Sequence, residues 1–163
     1  MNKEGKHVIA YLDDASRLVL ACDEYDRQST ANAIKTLSKA ILFAKQYGGI
    51  RSILTDRGSE FFPTAEDKKG RARSEFQKFL ERHGIEHVVG RVKHPQTNGK
   101  IERWFQTYGN KRFKFNSLQE FLTWYNTDRL HMSLKMHYAE TPYEAFIRKM
   151  DPIVWFRDVR WFD

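Results

Sequence analysis

Lys93-His94-Pro95-Gln96-Thr97-Asn98-Gly99-Lys100-Ile101-Glu102-Arg103-Trp104 reads as a turn feeding a helix, and the placing of the rest of the chain follows from it. Pro95 biases His94 toward an extended conformation. Asn98 is suited to cap the helix, its side-chain oxygen accepting an orphan N–H of the first turn. Glu102 then falls in the first turns, where the helix dipole favours a carboxylate, beside Lys100 and Arg103. That suits a metal ligand facing a polyanion, although an acid near a helix start is commonly no more than a dipole-complementing surface group. The metal reading gains from a second acidic site upstream, Ile53-Leu54-Thr55-Asp56-Arg57-Gly58-Ser59-Glu60-Phe61. There an apolar run ends in an aspartate and a glycine turn, and the tip of a buried strand is a common place for a ligand.

The composition supports such a site. The 163 residues are 40% hydrophobic and 14% aromatic, enough for one domain with a sizeable core and too apolar for a disordered chain. Twenty-eight Lys and Arg against 21 Asp and Glu leave a net charge of +7, which suits a partner carrying phosphates. Much of that excess is local. From Arg91 to Lys114 the cations are Arg91, Lys93, Lys100, Arg103, Lys111, Arg112 and Lys114, and the one acid is Glu102. Cys22 is the single cysteine, which excludes an internal disulfide and a cysteine-based zinc cluster and points to a reducing, cytoplasmic setting. No apolar run is long enough to span a membrane, and the first six residues lack the apolar core of a signal peptide. The chain reads as soluble and intracellular, with no membrane partner.

Periodicity fills in the frame. His7–Leu12 and Leu18–Cys22 are apolar runs joined by polar Asp13–Arg17, an antiparallel hairpin whose near-continuous apolarity implies cover on both faces. Ile34, Leu37, Ile41 and Ala44 recur at helical spacing between a Ser29 cap and a Gly48-Gly49 stop. Ile50–Thr55 is a short buried strand, expected to run parallel to one before the helix. Residues Pro63 to Arg73 form a charged loop that either touches a phosphate backbone or is merely solvated. Ser74–His83 is a short helix and Ile85–Val89 a strand. Ser117–Thr127 is an amphipathic helix, and another starts at Pro142 behind a Thr141 cap. His131 and His137, with no carboxylate at ligand spacing, read as loop or packing histidines. The aromatic stretch Ile153–Phe162 either folds back on the body or meets another subunit.

Four ordered stretches together resemble the catalytic domains of the retroviral-integrase superfamily of transposases, of the bacterial insertion-sequence type. Thr55-Asp56-Arg57-Gly58-Ser59-Glu60-Phe61 resembles its "TD.G.EF" signature, and His94 to Glu102 its "HPQ.NG..E" signature. Leu12 to Arg17 is similar to the "D..SR" end of the second strand, and Tyr125-Asn126 with Thr141 to Phe146 to the "YN…TP.EA" ending. The resemblance implies a ribonuclease-H-like α/β fold, a mixed sheet flanked by helices. Residues 1–150 would form the core and 151–163 an aromatic-rich tail. It implies DNA integration or transposition by metal-dependent phosphodiester cleavage and strand transfer, with Mg²⁺ or Mn²⁺ as cofactor.

By the same resemblance Asp56 and Glu102 are the second and third catalytic and metal-binding carboxylates. The first belongs on a strand that this chain is expected to lack, so the core is expected to be impaired alone. Asp13 and Asp14 match a strand end that the family does not use for ligands. Forty-five residues separate Asp56 from Glu102, a long interval whose surplus matches the charged loop. Arg57, Arg91, Lys93, Gln96, Asn98, Lys100 and Arg103 are positioned to contact backbone phosphates. The expected partners are double-stranded DNA, further copies of this chain and an upstream transposase segment. A non-catalytic DNA-binding or assembly module derived from such a transposase is the alternative.

Overall fold

A computed structural model describes residues 5–56, 58, 60–62, 73–90, 95–134 and 139–150, with backbone alone for 95–98. Strand β1 (His7–Leu12) and strand β2 (Val19–Tyr25) form an antiparallel hairpin. Its turn is closed by Asp13, whose carboxylate accepts from both the backbone N–H and the hydroxyl of Ser16. Arg17 adopts a left-handed conformation at φ 68° to complete it. The register skips Leu20 opposite Tyr11 and Leu12, a bulge that lets Leu20 and Ala21 both face one side. That side packs on helix α1 (Thr30–Lys45), whose Ala33, Leu37 and Ala40 are fully buried. The opposite side carries Val8, Ala10, Val19 and Cys22 into a second cluster. The hairpin is thus covered on both faces, as its apolar runs require.

Local signals set the other boundaries. Ser29 caps α1, its hydroxyl accepting from the Asn32 N–H, and Gly48 and Gly49 turn the chain out at φ 92° and 82°. Strand β3 (Ser52–Thr55), helix α2 (Glu75–Arg82) and strand β4 (Glu86–Val89) form a parallel crossover unit. α2 opens with a capping box of Ser74 and Gln77. Helix α3 spans Pro95–Lys111, followed by a 3-10 turn at Arg112–Lys114. Helix α4 (Leu118–Thr123) continues into a π-turn at Trp124–Asp128, and α5 (Pro142–Lys149) begins with the Thr141–Glu144 capping box.

Three expectations change. β3 was read as buried, but it buries only Ile53 and Thr55; Leu54 and its ladder partner Val88 lie exposed on the outer face. Its parallel partner is β4, and among the described residues no ladder joins β3 to the hairpin, so the sheet is two separate pairs. α3 begins at Pro95, not after an Asn98 cap. Proline's fixed φ and missing N–H suit the first helical position, so Asn98 lies inside the helix and Glu102 stands two turns in, beyond the range at which the dipole acts. The 63–72 loop, His137 and the 151–163 tail lie outside the described residues. No described helix is long and apolar enough to cross a membrane.

Candidate functional site

Asp56 follows the last residue of β3, and this end of the strand is held from both sides. The Gly90 N–H donates to the Thr55 carbonyl, extending the β3–β4 pairing. The buried Thr55 hydroxyl meets Nε2 of His87 at 2.8 Å and donates to the Asp56 carbonyl at 2.9 Å. Burial lowers the pKa of His87, keeping it neutral beside this hydroxyl. The exposed Asp56 carboxylate accepts from the Gly58 N–H at 3.0 Å, an Asx turn that orients the side chain and leaves its second oxygen unused among the described residues. A Cβ on Gly58 would come within 2.6 Å of the Glu60 carboxylate, so glycine lets Glu60 lie over the turn.

Glu102 is exposed on α3, and no described hydrogen bond or ion pair engages its carboxylate. Its helix is fixed by what lies on the other side. Trp104 is fully buried, with ring centroids 5.5 Å from Tyr108 and 6.4 Å from both Phe121 and Tyr125. The Tyr108 hydroxyl and the Arg112 guanidinium both donate to the Glu24 carboxylate of β2. α3 is therefore clamped to the hairpin by aromatic packing and by the Glu24 and Asp14 ion pairs. Asp56 and Glu102 stand on different rigid elements and share no hydrogen-bond partner among the described residues.

Two cations of the basic stretch are already engaged. Lys100 donates to the carboxylate and the backbone carbonyl of Asp14, and Arg112 belongs to the half-buried pair with Glu24. Arg103 and Lys111 remain exposed without an ion pair among the described residues. Arg57, Arg91 and Lys93 lie outside the described residues, as do the side chains of Gln96 and Asn98.

Asn126 and Arg129 have clear positions that the sequence reading did not assign. Asn126 acts as a strand edge: its Oδ1 accepts from the Val19 N–H and its Nδ2 donates to the Val19 carbonyl, both at 3.0 Å. Arg129 lies 5.3 Å over the Tyr125 ring. The four-residue spacing of that pair was the available signal. Burial, with Arg129, Arg17 and Arg103 adding to it, pushes His131 down to about 4. It is a neutral packing histidine among arginines, in keeping with its reading from sequence.

A strand-tip carboxylate, a second on a long helix, and a hairpin sandwiched between helical layers define a ribonuclease-H-like core. Residues 1–95 match the model of the integrase core domain family, and residues 83–138 match a second integrase core domain model. The chain belongs to the integrase core domain family. It is 36% identical over 152 residues to the putative integrase ORF3 of Spiroplasma virus SpV1-C74, the match covering 84% of this chain and 41% of that protein. The chain thus spans less than half the length of this curated relative. Among solved structures it resembles the catalytic core domain of BIV integrase, with a TM-score of 0.62 and 16% identity over 91% of this chain and 90% of that one. It also resembles the HTLV-2 integrase catalytic core domain in complex with magnesium, with a TM-score of 0.59 and 18% identity over 86% and 92%. At these identities the likeness is one of fold.

Proposed function

We propose that this chain is the catalytic-core portion of a DNA integrase or transposase, with Asp56 and Glu102 as its catalytic and metal-holding carboxylates. The observation that carries the reading is the Asp56 carboxylate itself, exposed at a strand tip, oriented by the Gly58 N–H and left out of any ion pair among the described residues.

Both side chains offer hard oxygen donors not consumed by a described cation, and this fits Mg²⁺ or Mn²⁺. When bound, such an ion neutralises charge developing on the attacking and leaving oxygens of a phosphodiester. The chain's own part is positional. The Asx turn fixes Asp56, the clamped α3 fixes Glu102, and Arg103 and Lys111 offer charge to backbone phosphates, which position DNA without reading its sequence. Two carboxylates alone hold Mg²⁺ weakly, so millimolar metal binding is the expected behaviour of Asp56 and Glu102, in a cytoplasmic setting.

A duplex-binding titration with and without Mg²⁺ tests this. Duplex affinity is expected to fall steeply with salt, with a flatter log–log slope when Lys93, Lys100 and Arg103 are all replaced by Gln. Mg²⁺ should raise the melting temperature of the parent chain but not of Glu102→Gln or Asp56→Asn. Duplex binding with no metal response in any form would identify the non-catalytic module instead, and no duplex binding at all would remove both readings.

An upstream transposase segment as partner is supported by the two separate strand pairs, since β1 and β3 each have a single described ladder partner. Unpaired strand edges are templates for a further strand. An extended peptide of alternating apolar residues carrying one aspartate is expected to raise the melting temperature as its concentration rises, and the rise should grow with Mg²⁺. A melting temperature indifferent to the peptide would show the edges to be covered already. Association of several copies is supported by the paired, exposed Leu54 and Val88.

A further inference from the structure

The turn that carries Asp56 is held at both ends by one side chain from outside the acidic motifs. The β3–β4 register pairs Ile53 with His87 and Thr55 with Val89. His87, Ile53 and Thr55 therefore share the inner face, on which Phe76 and Leu80 of α2 pack. Ile53 and Thr55 are buried there and His87 is half-buried. Apolar residues would suit this face throughout, yet a hydroxyl and an imidazole stand together on it, and each must find a partner.

Counting hydrogens fixes the direction of their contacts. The Thr55 hydroxyl has one hydrogen and two neighbours, the Asp56 carbonyl at 2.9 Å and His87 Nε2 at 2.8 Å. A carbonyl only accepts, so the hydroxyl hydrogen goes to Asp56. Toward His87 the hydroxyl oxygen is then the acceptor, and Nε2 carries the ring hydrogen. Burial keeps the imidazole neutral, so Nδ1 is bare and the ring is held as one tautomer. The result is a relay from Nε2–H through the hydroxyl to the Asp56 carbonyl, each bond polarising the next. The carbonyl direction sets ψ of Asp56. That angle decides whether the chain returns the Gly58 N–H to the Asp56 carboxylate, the 3.0 Å bond that closes the Asx turn.

The same imidazole reaches the far end of the turn. Its ring centroid lies 5.3 Å from that of Phe62 and 5.8 Å from that of Phe76, and Phe76 meets Phe61 edge-on at 4.9 Å. The Phe61 backbone is fixed as well, its N–H donating to the Gly58 carbonyl and its carbonyl accepting from the Ser74 hydroxyl. A polar pair that served only the core would end at Thr55. This one continues to the Asp56 carbonyl on one side and to the Phe62 ring on the other.

We propose that His87 is a positioning residue for Asp56: as the Nε2–H tautomer it fixes the Asp56 backbone through the Thr55 hydroxyl, so that the Asp56 carboxylate is preset for a divalent cation. The assignment rests on the proposed metal-holding role of Asp56 and adds to it a residue that acts only through another.

The test reads the Mg²⁺ affinity of the full chain from the rise of its melting temperature with Mg²⁺ concentration. The parent is compared with Thr55→Val, His87→Phe, His87→Gln and the double variant of Thr55→Val with His87→Phe. Valine keeps the shape of threonine without the hydroxyl, and phenylalanine keeps a ring beside Phe62 and Phe76 without the donor. Each is expected to weaken Mg²⁺ binding about 3- to 10-fold, the worth of one hydrogen bond. The double variant should lose no more than either, because both changes break one relay. His87→Gln, whose amide nitrogen reaches about as far as Nε2, should restore most of the affinity. In the Mg²⁺-free parent, a proton–nitrogen correlation spectrum should place the hydrogen on Nε2 of the imidazole whose signals vanish in His87→Gln. If His87→Phe does not fold, Thr55→Val and the parent spectrum still decide. A hydrogen on Nδ1, or a Mg²⁺ affinity that Thr55→Val and His87→Phe leave unchanged or lower additively, overturns the positioning role and leaves the metal reading standing. A parent with no Mg²⁺ response overturns both.

Discussion

Replacing Trp104 with alanine is expected to lower the stability of the chain by about 3–5 kcal/mol, a large part of the 5–15 kcal/mol typical of a domain. Trp104 is 0% exposed and meets Phe105, Tyr108, Phe121 and Tyr125 at centroid distances of 5.0 to 6.4 Å. An alanine leaves a cavity that the four neighbouring rings cannot readily collapse into. Phenylalanine should cost far less than alanine. It keeps most of the ring and removes an indole N–H that has no acceptor among the described residues, so part of the lost packing is offset by a removed unsatisfied donor. Urea unfolding midpoints of the two variants against the parent check this, and a Trp104→Phe loss equal to that of Trp104→Ala would show the N–H to be satisfied. Because Trp104 anchors the helix that carries Glu102, the alanine variant should also lose the Mg²⁺ response proposed above.

The parts of this fold that were legible in the sequence are those with local causes. Ser29, Ser74, Ser117 and Thr141 all cap the helices they precede, because a cap involves only a side chain and N–H groups two or three positions on. The two-sided apolarity of the hairpin likewise predicted its cover. The start of α3 was misjudged because Pro95 and Asn98 are both start signals, three residues apart, and nothing local chooses between them.

What could not be read depends on contacts distant in sequence. Asn126 supplies a strand-like partner to Val19, 107 residues away, and Lys100 reaches back to Asp14. The resemblance motifs hold both kinds of residue. Asp13, Ser16, Asn126, Thr141 and Glu144 close turns, edges and caps; Asp56 also closes an Asx turn through one oxygen, while the exposed Glu102 carboxylate has no such structural task among the described residues. The resemblance motifs are what singled out the two carboxylates. Sequence could not show that Lys100, expected at a phosphate, and Arg112, counted in the basic stretch, are engaged by Asp14 and Glu24.

Replacing Glu24 with glutamine is expected to cost about 2–4 kcal/mol, more than a surface ion pair would. Glu24 and Arg112 are each 17% exposed, with Arg112 Nε 2.9 Å from the carboxylate. The Tyr108 hydroxyl donates to the same oxygen, and Arg112 Nη1 also donates to the Phe115 carbonyl. Glutamine keeps the shape but offers one acceptor oxygen where two were used, and it leaves the arginine charge half-buried and unpaired. The exposed pair of Lys78 and Glu75 on α2 gives the comparison: its Glu75→Gln change should leave the unfolding midpoint nearly unmoved. A double-mutant cycle of Glu24→Gln and Arg112→Gln separates pairing from packing, since removing both charges should recover much of the single-variant loss. The functional consequence follows from position. This pair and the Trp104 cluster fix α3 to β2, so loosening it leaves Asp56 on its strand while Glu102 drifts. Any Mg²⁺ stabilisation should then weaken by more than the melting temperature of the metal-free chain falls. A Mg²⁺ response that survives Glu24→Gln unchanged would mean that the aromatic cluster and the Lys100–Asp14 pair suffice to hold α3.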